Sequence, residues 1–229
     1  MDALATAFDL GTTPLREINA ALHAPGLTGE FVIANPAGAH NVAVGLDAEV
    51  KVTVVGHVGY YAAGMNQRAE ITIEGNAGTG VAENMMSGAV WVKGNASQSA
   101  GATAHGGLLV IDGNAAARCG ISMKGVDIVV GGDVGHMSAF MAQAGRLVVR
   151  GNAGDALGDS IYEARIYLRG DATSLGADCV AKEMRGEHHD ELSRLLKTAG
   201  YSDDDTHDYT RYGSARSLYH FHVDNASSY

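Results

Sequence analysis

The chain has 229 residues, 46% of them hydrophobic and only 18% charged, a balance that supports a packed core and argues against disorder. Its 31 glycines stand beside only 3 prolines, which excludes collagen, and a formal net charge of −10 argues against nucleic acid, whose partners cluster Lys and Arg. The 2 cysteines, Cys119 and Cys179, form no CxxC and are too few for a disulfide scaffold or a four-cysteine iron–sulfur cluster.

Residues 1–49 read as an N-terminal helix and capping segment. The opening "MDALATAFDL" lacks the basic and apolar regions of a secretory leader, and no stretch approaches the ~18 apolar residues of a membrane span. The expectation is a cytoplasmic protein, bound to no membrane, with both thiols reduced and buried. "GTTPLREINAALH" predicts a helix, with Thr13 as N-cap, Pro14 at the first helical position, and Leu15, Ile18 and Leu22 on one face.

From residue 50 to about 180 the chain repeats itself. Gly56, Gly75, Gly94, Gly113, Gly132, Gly151 and Gly170 recur on a strict 19-residue beat. The next position holds His57, Asn76, Asn95, Asn114, Asp133, Asn152 and Asp171, and the one after it is always Ala or Val. Two residues before each glycine stand Val54, Ile73, Val92, Ile111, Val130, Val149 and Leu168, and four before it another apolar residue. Apolar positions two apart share one face of a strand. The residue between them varies (Thr72, Trp91, Val110, Val129, Val148, Tyr167) and is read as pointing outward. The glycine is expected to permit a bend, and the Asn or Asp to take the left-handed backbone of a sharp corner.

One such unit cannot bury its apolar face alone, so the units must stack. The fold expected is an all-β solenoid: a right-handed, single-stranded parallel β-helix of about seven coils, flanked by short capping helices and ~34 Å long. A left-handed hexapeptide helix would run at about 18 residues per coil instead. The line of Asn suits a ladder of side-chain amides, and two like-charged Asp neighbours in it would repel.

Residues 181–229 read as a C-terminal helix and interaction arm. "EHHDELSRLLKTAG" predicts a helix ending at Gly200, placed to cover the open end of the solenoid. Beyond an acidic linker, Ser202 to Asp208, the segment Tyr209 to Val223 interleaves aromatic residues with arginine. Tyr209, Arg211, Tyr212, Arg216, Tyr219 and Phe221 have the composition of interface anchors, set against a catalytic subunit or a neighbouring part of this chain. Deleting the arm is expected to spare the sheet and weaken assembly.

Candidates for chemistry are weak. "GNAGTG", at Gly75 to Gly80, lacks the Lys-Ser/Thr of a phosphate loop, and a strand rather than a helix follows it. His57, His105 and His136 fall at different places in their repeats. His188 and His189 are adjacent on a helix and face apart, and His220 with His222 form one two-ligand pair at most. There is no GxSxG elbow and no ladder of carboxylates, and Cys119 beside Gly120 reads as packing. No catalytic, cofactor-binding or metal-ligating residue is assigned to this chain.

The 19-residue beat, with "GNAG" at Gly75, "GDVG" at Gly132 and "GNAG" at Gly151, resembles the GXGXG family across roughly Val50 to Val180. That family includes the C-terminal β-helix domain of the glutamate synthase large subunit and a component of formylmethanofuran dehydrogenase. "FDLGTTPLREINAALH" and "YTRYGSARSLYHF" are similar to the flanks of the stand-alone, GlxC-type version, which serves as the β-helix component of N-methylglutamate synthase (methylamine–glutamate N-methyltransferase). The resemblance implies a complex of three subunits: a glutamine amidotransferase-like one with an N-terminal cysteine, the β-helix, and a synthase-like one carrying FMN and an iron–sulfur cluster. A chain that opens Met1-Asp2 and holds two distant cysteines matches the β-helix, to which the family gives a structural role. The alternatives are an ordinary glutamine-dependent glutamate synthase, a formylmethanofuran dehydrogenase-type complex, or a free-standing β-helix enzyme.

Overall fold

The computed structural model describes residues 5–218. In chain order these form β1 (Thr6–Asp9), α1 (Leu15–Leu22), β2 (Gly29–Ala34), β3 (Val50–Val55), β4 (Glu70–Ile73), β5 (Ala89–Val92), β6 (Leu108–Ile111), β7 (Lys124–Val130), β8 (Ala144–Val149), β9 (Arg165–Leu168), β10 (Cys179–Lys182), α2 (Gly186–Thr198) and β11 (Thr210–Ser214). From β1 to β9 every strand pairs in parallel with the next.

The register carries out the sequence pattern. Val54 pairs with Ile73, and the line continues through Val92, Ile111, Val130 and Val149 to Leu168. All seven are at most 1% exposed. A second ladder of parallel bridges joins Val58, Ala77, Ala96, Ala115, Val134, Ala153 and Ala172, the small residues after each Gly-Asn or Gly-Asp. Two ladders closing on one apolar interior make the chain a parallel β-helix, as the repeat demands.

The 19-residue beat does not announce the first two rungs. Phe8 pairs with Ile33 and Ile33 with Val54, and both steps along the chain are longer than one repeat. The longer of these coils holds α1, which sends Ile18 and Leu22 fully into the interior, with Leu15 partly buried. The helix starts at Leu15 with Pro14 at the N-cap, one residue later than expected. Thr13 belongs to the turn before the helix, where its N–H donates to the Asp9 carbonyl at 2.8 Å.

The glycine corner works differently from the expectation. Among the seven repeat glycines only Gly56 has a positive φ, and none of the Asn or Asp residues beside them does. What the glycine supplies is room. A Cβ on Gly113 would lie 2.5 Å from Asn95 Oδ1 and 2.8 Å from the Gly94 carbonyl of the coil before. That Asn95 oxygen crosses from one coil to the next to accept the backbone N–H of Asn114 at 2.8 Å. The line runs from His57 Nδ1 through Asn76, Asn95, Asn114, Asp133 and Asn152 to Asp171, each accepting the next N–H at 2.7–3.0 Å. The ladder therefore runs mainly from side chain to backbone, with one amide-to-amide contact, Asn95 Nδ2 to Asn76 Oδ1 at 3.5 Å. It takes His, Asn or Asp alike because all three carry an acceptor at the same reach. Neither Asp adjoins another Asp along it.

Left-handed backbone occurs elsewhere in each coil, at three alternating positions: Tyr61, Ala63 and Met65; Gly80, Ala82 and Asn84; Ser99, Gly101 and Thr103; and so on to Ala156, Gly158 and Ser160. Most are not glycine, so each costs on the order of 1 kcal/mol. Hydrogen bonds to the neighbouring coils hold them, as Tyr61 N–H to the Thr79 carbonyl at 2.9 Å and Ala82 N–H to the Ala62 carbonyl at 3.0 Å.

The face expected to point outward is covered from β6 to β9. Val110, Val129, Val148 and Tyr167 are fully buried, because α2 lies across the flank of β6–β9 instead of over the open end. Leu192, Leu196 and Ala199 of the α2 region pack on them, with Tyr209, to form a second core outside the solenoid. Thr72 and Trp91, before α2 is reached, stay partly exposed. At the far end of the sheet β11 is an inner strand and β10 forms the edge. β11 runs antiparallel and sits between β9 and β10, so the strand order ends β9-β11-β10.

Candidate functional site

The polar chemistry of the chain concentrates where α2 and the C-terminal segment meet β7–β9. Glu191 of α2, 8% exposed, accepts hydrogen bonds from Arg146 Nε at 2.9 Å, Arg165 Nη1 at 2.8 Å and the Tyr167 hydroxyl at 2.6 Å. Burial raises its pKa, but the Tyr167 hydroxyl and the two guanidinium groups outweigh burial and hold the carboxyl at about 2. Arg146 also reaches Asp127 at 3.0 Å. The same desolvation, with Glu191 beside it, drives the Tyr167 hydroxyl upward, so it remains a donor.

A second anchor lies in the stretch read as a linker. Asp204 accepts a bidentate pair from Arg150, at 2.6 and 2.8 Å, and the Tyr209 hydroxyl at 2.7 Å. Arg150 in turn sits 3.9 Å over the Tyr201 ring. The hydrogen bonds from Arg150 hold the Asp204 carboxyl below its usual range. Ser202 to Asp208 is thus docked rather than a free spacer. An acidic composition alone hides this, because its partners, Arg150 and Arg169, lie far back in the repeat.

The arm residues divide. Tyr209 is buried in the second core, and Tyr212 pairs with Ile166 on one side and Ala181 on the other. Arg211 donates Nε and Nη2 to the Glu183 carbonyl at 3.1 and 2.9 Å. Arg216 bridges to Glu163 at 3.0 Å with both side chains exposed. Tyr219 and Phe221 lie outside the described residues, as do His220 and His222.

Among the described residues no group of three or more His, Cys, Asp or Glu could hold a metal ion. His57 heads the corner ladder, and His188 takes the Arg185 N–H on its Nδ1 at 3.0 Å at the start of α2. Cys119 and Cys179 are buried, and burial pushes both thiols up to about 12, where they stay protonated at neutral pH. No helix among the described residues is long and apolar enough to cross a membrane.

Fold and site together define a parallel β-helix whose own C-terminal segment is strapped across the flank and end of its last coils. The chain is 60% identical to Protein GlxC of Rhizobium meliloti (strain 1021) over 224 residues, 96% of this chain and 98% of that protein. It belongs to the GlxC family. No protein-family model matches the chain, and no solved structure matches it.

Proposed function

We propose that this GlxC-family chain is a structural, non-catalytic subunit of a glutamate-synthase-like flavoenzyme complex in the cytoplasm. The particular assembly is N-methylglutamate synthase, which converts methylamine and L-glutamate to N-methyl-L-glutamate and ammonia. The observation that carries the reading is the use of the buried polar side chains. Glu191, Asp204, Tyr167 and Tyr209 are spent on fastening the chain to itself. The GXGXG repeat and the GlxC relative support the same reading.

The partners are a glutamine amidotransferase-like subunit and a synthase-like subunit that carries FMN and an iron–sulfur cluster. Two cysteines as distant in the chain as Cys119 and Cys179 do not supply the four thiolates of such a cluster, so that chemistry belongs to the partner. Arg216, Tyr219 and Phe221 are the arm residues this reading assigns to the interface, since Tyr209, Arg211 and Tyr212 are engaged within the chain. Affinity capture of the native protein, with flavin measured in the eluate, tests it. The expected result is a yellow complex holding both partners, while the chain purified alone is colourless. An eluate without flavoprotein, or one carrying molybdenum or tungsten enzymes instead, would overturn the reading.

A further inference from the structure

The insertion of β11 between β9 and β10 sets like charges against each other. Lys182 and Arg211 are directly paired across the antiparallel strands, so their side chains leave the same face. Arg165, one strand over, lies on that face too, two residues before Tyr167, which pairs with Arg211. Like charges directly opposite are destabilising, and a chain of net charge −10 has no general need to gather cations.

The three cations line one cavity of about 290 Å³, with Arg216, Glu163 and His188. Two of the charges are answered: Arg165 by Glu191 at 2.8 Å and Arg216 by Glu163 at 3.0 Å. Among the described residues Lys182 has no carboxylate partner, and Arg211 hydrogen-bonds only the Glu183 carbonyl, with the Glu187 carboxylate acting on it from further off, 3.6 Å from His188 Nε2. Burial, then Arg165 and Arg185 beside it, lower the pKa of Arg211, as expected of a cation short of counter-charge. His188 adds a neutral donor. Its pKa is lowered by burial and by Arg211, and with Nδ1 accepting the Arg185 N–H its proton sits on Nε2.

We propose that this cavity is a binding site for a small dianion, a phosphate or a dicarboxylate, held by Lys182 and Arg211. The anion supplies the counter-charge the fold withholds, and the planar guanidinium and the lysine ammonium match its paired oxygens. The volume lies at the lower edge of small-molecule sites and has room for a small anion together with bridging water. The inference rests on this cavity alone and does not depend on the assembly the chain joins.

Titration calorimetry of the full chain with sodium phosphate, and separately with succinate, tests it and tells the two sources apart. One of the probes is expected to bind one-to-one with a Kd below ~10 mM and to raise the thermal midpoint. Lys182→Gln and Arg211→Gln should each weaken binding at least tenfold, whereas Lys51→Gln, an exposed cation paired with Glu30 and Glu70, should not. Lys182→Gln should also leave the ligand-free midpoint unchanged or higher, because it removes repulsion; a purely structural lysine would lower it. Saturation by neither probe, or equal losses in Lys51→Gln, would overturn the site. So would binding of a hexaglutamate peptide with neither small anion bound, which would mark a protein-docking surface instead.

Discussion

At the scale of the residue, Gly and Asn act as one device: the asparagine oxygen crosses to the next coil through space that a side chain on the glycine would fill. Gly113→Ala, with its Cβ 2.5 Å from Asn95 Oδ1, is expected to cost about 1–3 kcal/mol. Asn95→Ala leaves the exposed Asn114 N–H to water and should cost about 0.5–1.5 kcal/mol, while Asn95→Asp should be nearly neutral, since Asp133 already serves between Asn114 and Asn152. Urea denaturation of the three variants checks the order. Ile111→Asp, which buries an unpaired carboxylate in the main ladder, should cost several kcal/mol, on the order of 3–5, by the same measurement. The beat of Gly and Asn was legible in the residues, but not its cause. Residue preference places left-handed backbone at glycine and asparagine, whereas Ala63, Met65 and Thr103 adopt it because hydrogen bonds to neighbouring coils impose it.

At the scale of the element, α2 carries the most consequence. Leu196→Ala opens a cavity in the second core and is expected to cost about 2–5 kcal/mol in chemical denaturation. Its position had a sign in the sequence. "EITI" alternates, as a strand with one wet face should, but "LLVI", "DIVV" and "RIYL" are apolar on both faces, the mark of a strand covered twice. What covers them lies further along the chain, with no repeat to link it to those strands. The docking of α2 should also respond to pH. Glu191 is held at about 2 in the folded chain, against an ordinary carboxyl near 4.5. Its contribution is therefore full above about 4.5 and is lost as pH falls toward 2. Asp204, also depressed, adds in the same direction. Trp91, the single tryptophan, packs at the edge of the second apolar core that α2 completes, so its fluorescence should change across that window. Glu191→Gln should flatten the change, and an identical titration in that variant would remove Glu191 as its source.

At the scale of the whole molecule, the parallel β-helix was readable from seven glycines, because a solenoid writes its period into the chain. Two features escaped that reading. The rungs β1 and β2 arrive after coils of irregular length, which no fixed period detects. The strand order at the far end depends on a pairing between β9 and β11, segments far apart in the chain with no repeat to signal it. This changes what removal of the arm should do. Deleting residues 209–229 takes away the buried Tyr209 and a strand hydrogen-bonded on both sides. The thermal midpoint is expected to fall by about 5 °C or more in circular dichroism melts, where a dispensable tail would leave it unmoved.

The order β9-β11-β10 has a consequence for biosynthesis. As the chain leaves the ribosome, each rung up to β9 finds its neighbour already laid down, so folding can keep pace with translation. β10 cannot. It ends at Lys182, whereas β11, its only strand partner among the described residues, begins at Thr210 after the whole of α2 has been made, and the same segment is what covers β9. The growing edge of the solenoid therefore stays open until β11 has been made, a built-in delay during which a second nascent chain is the chief competitor for that edge.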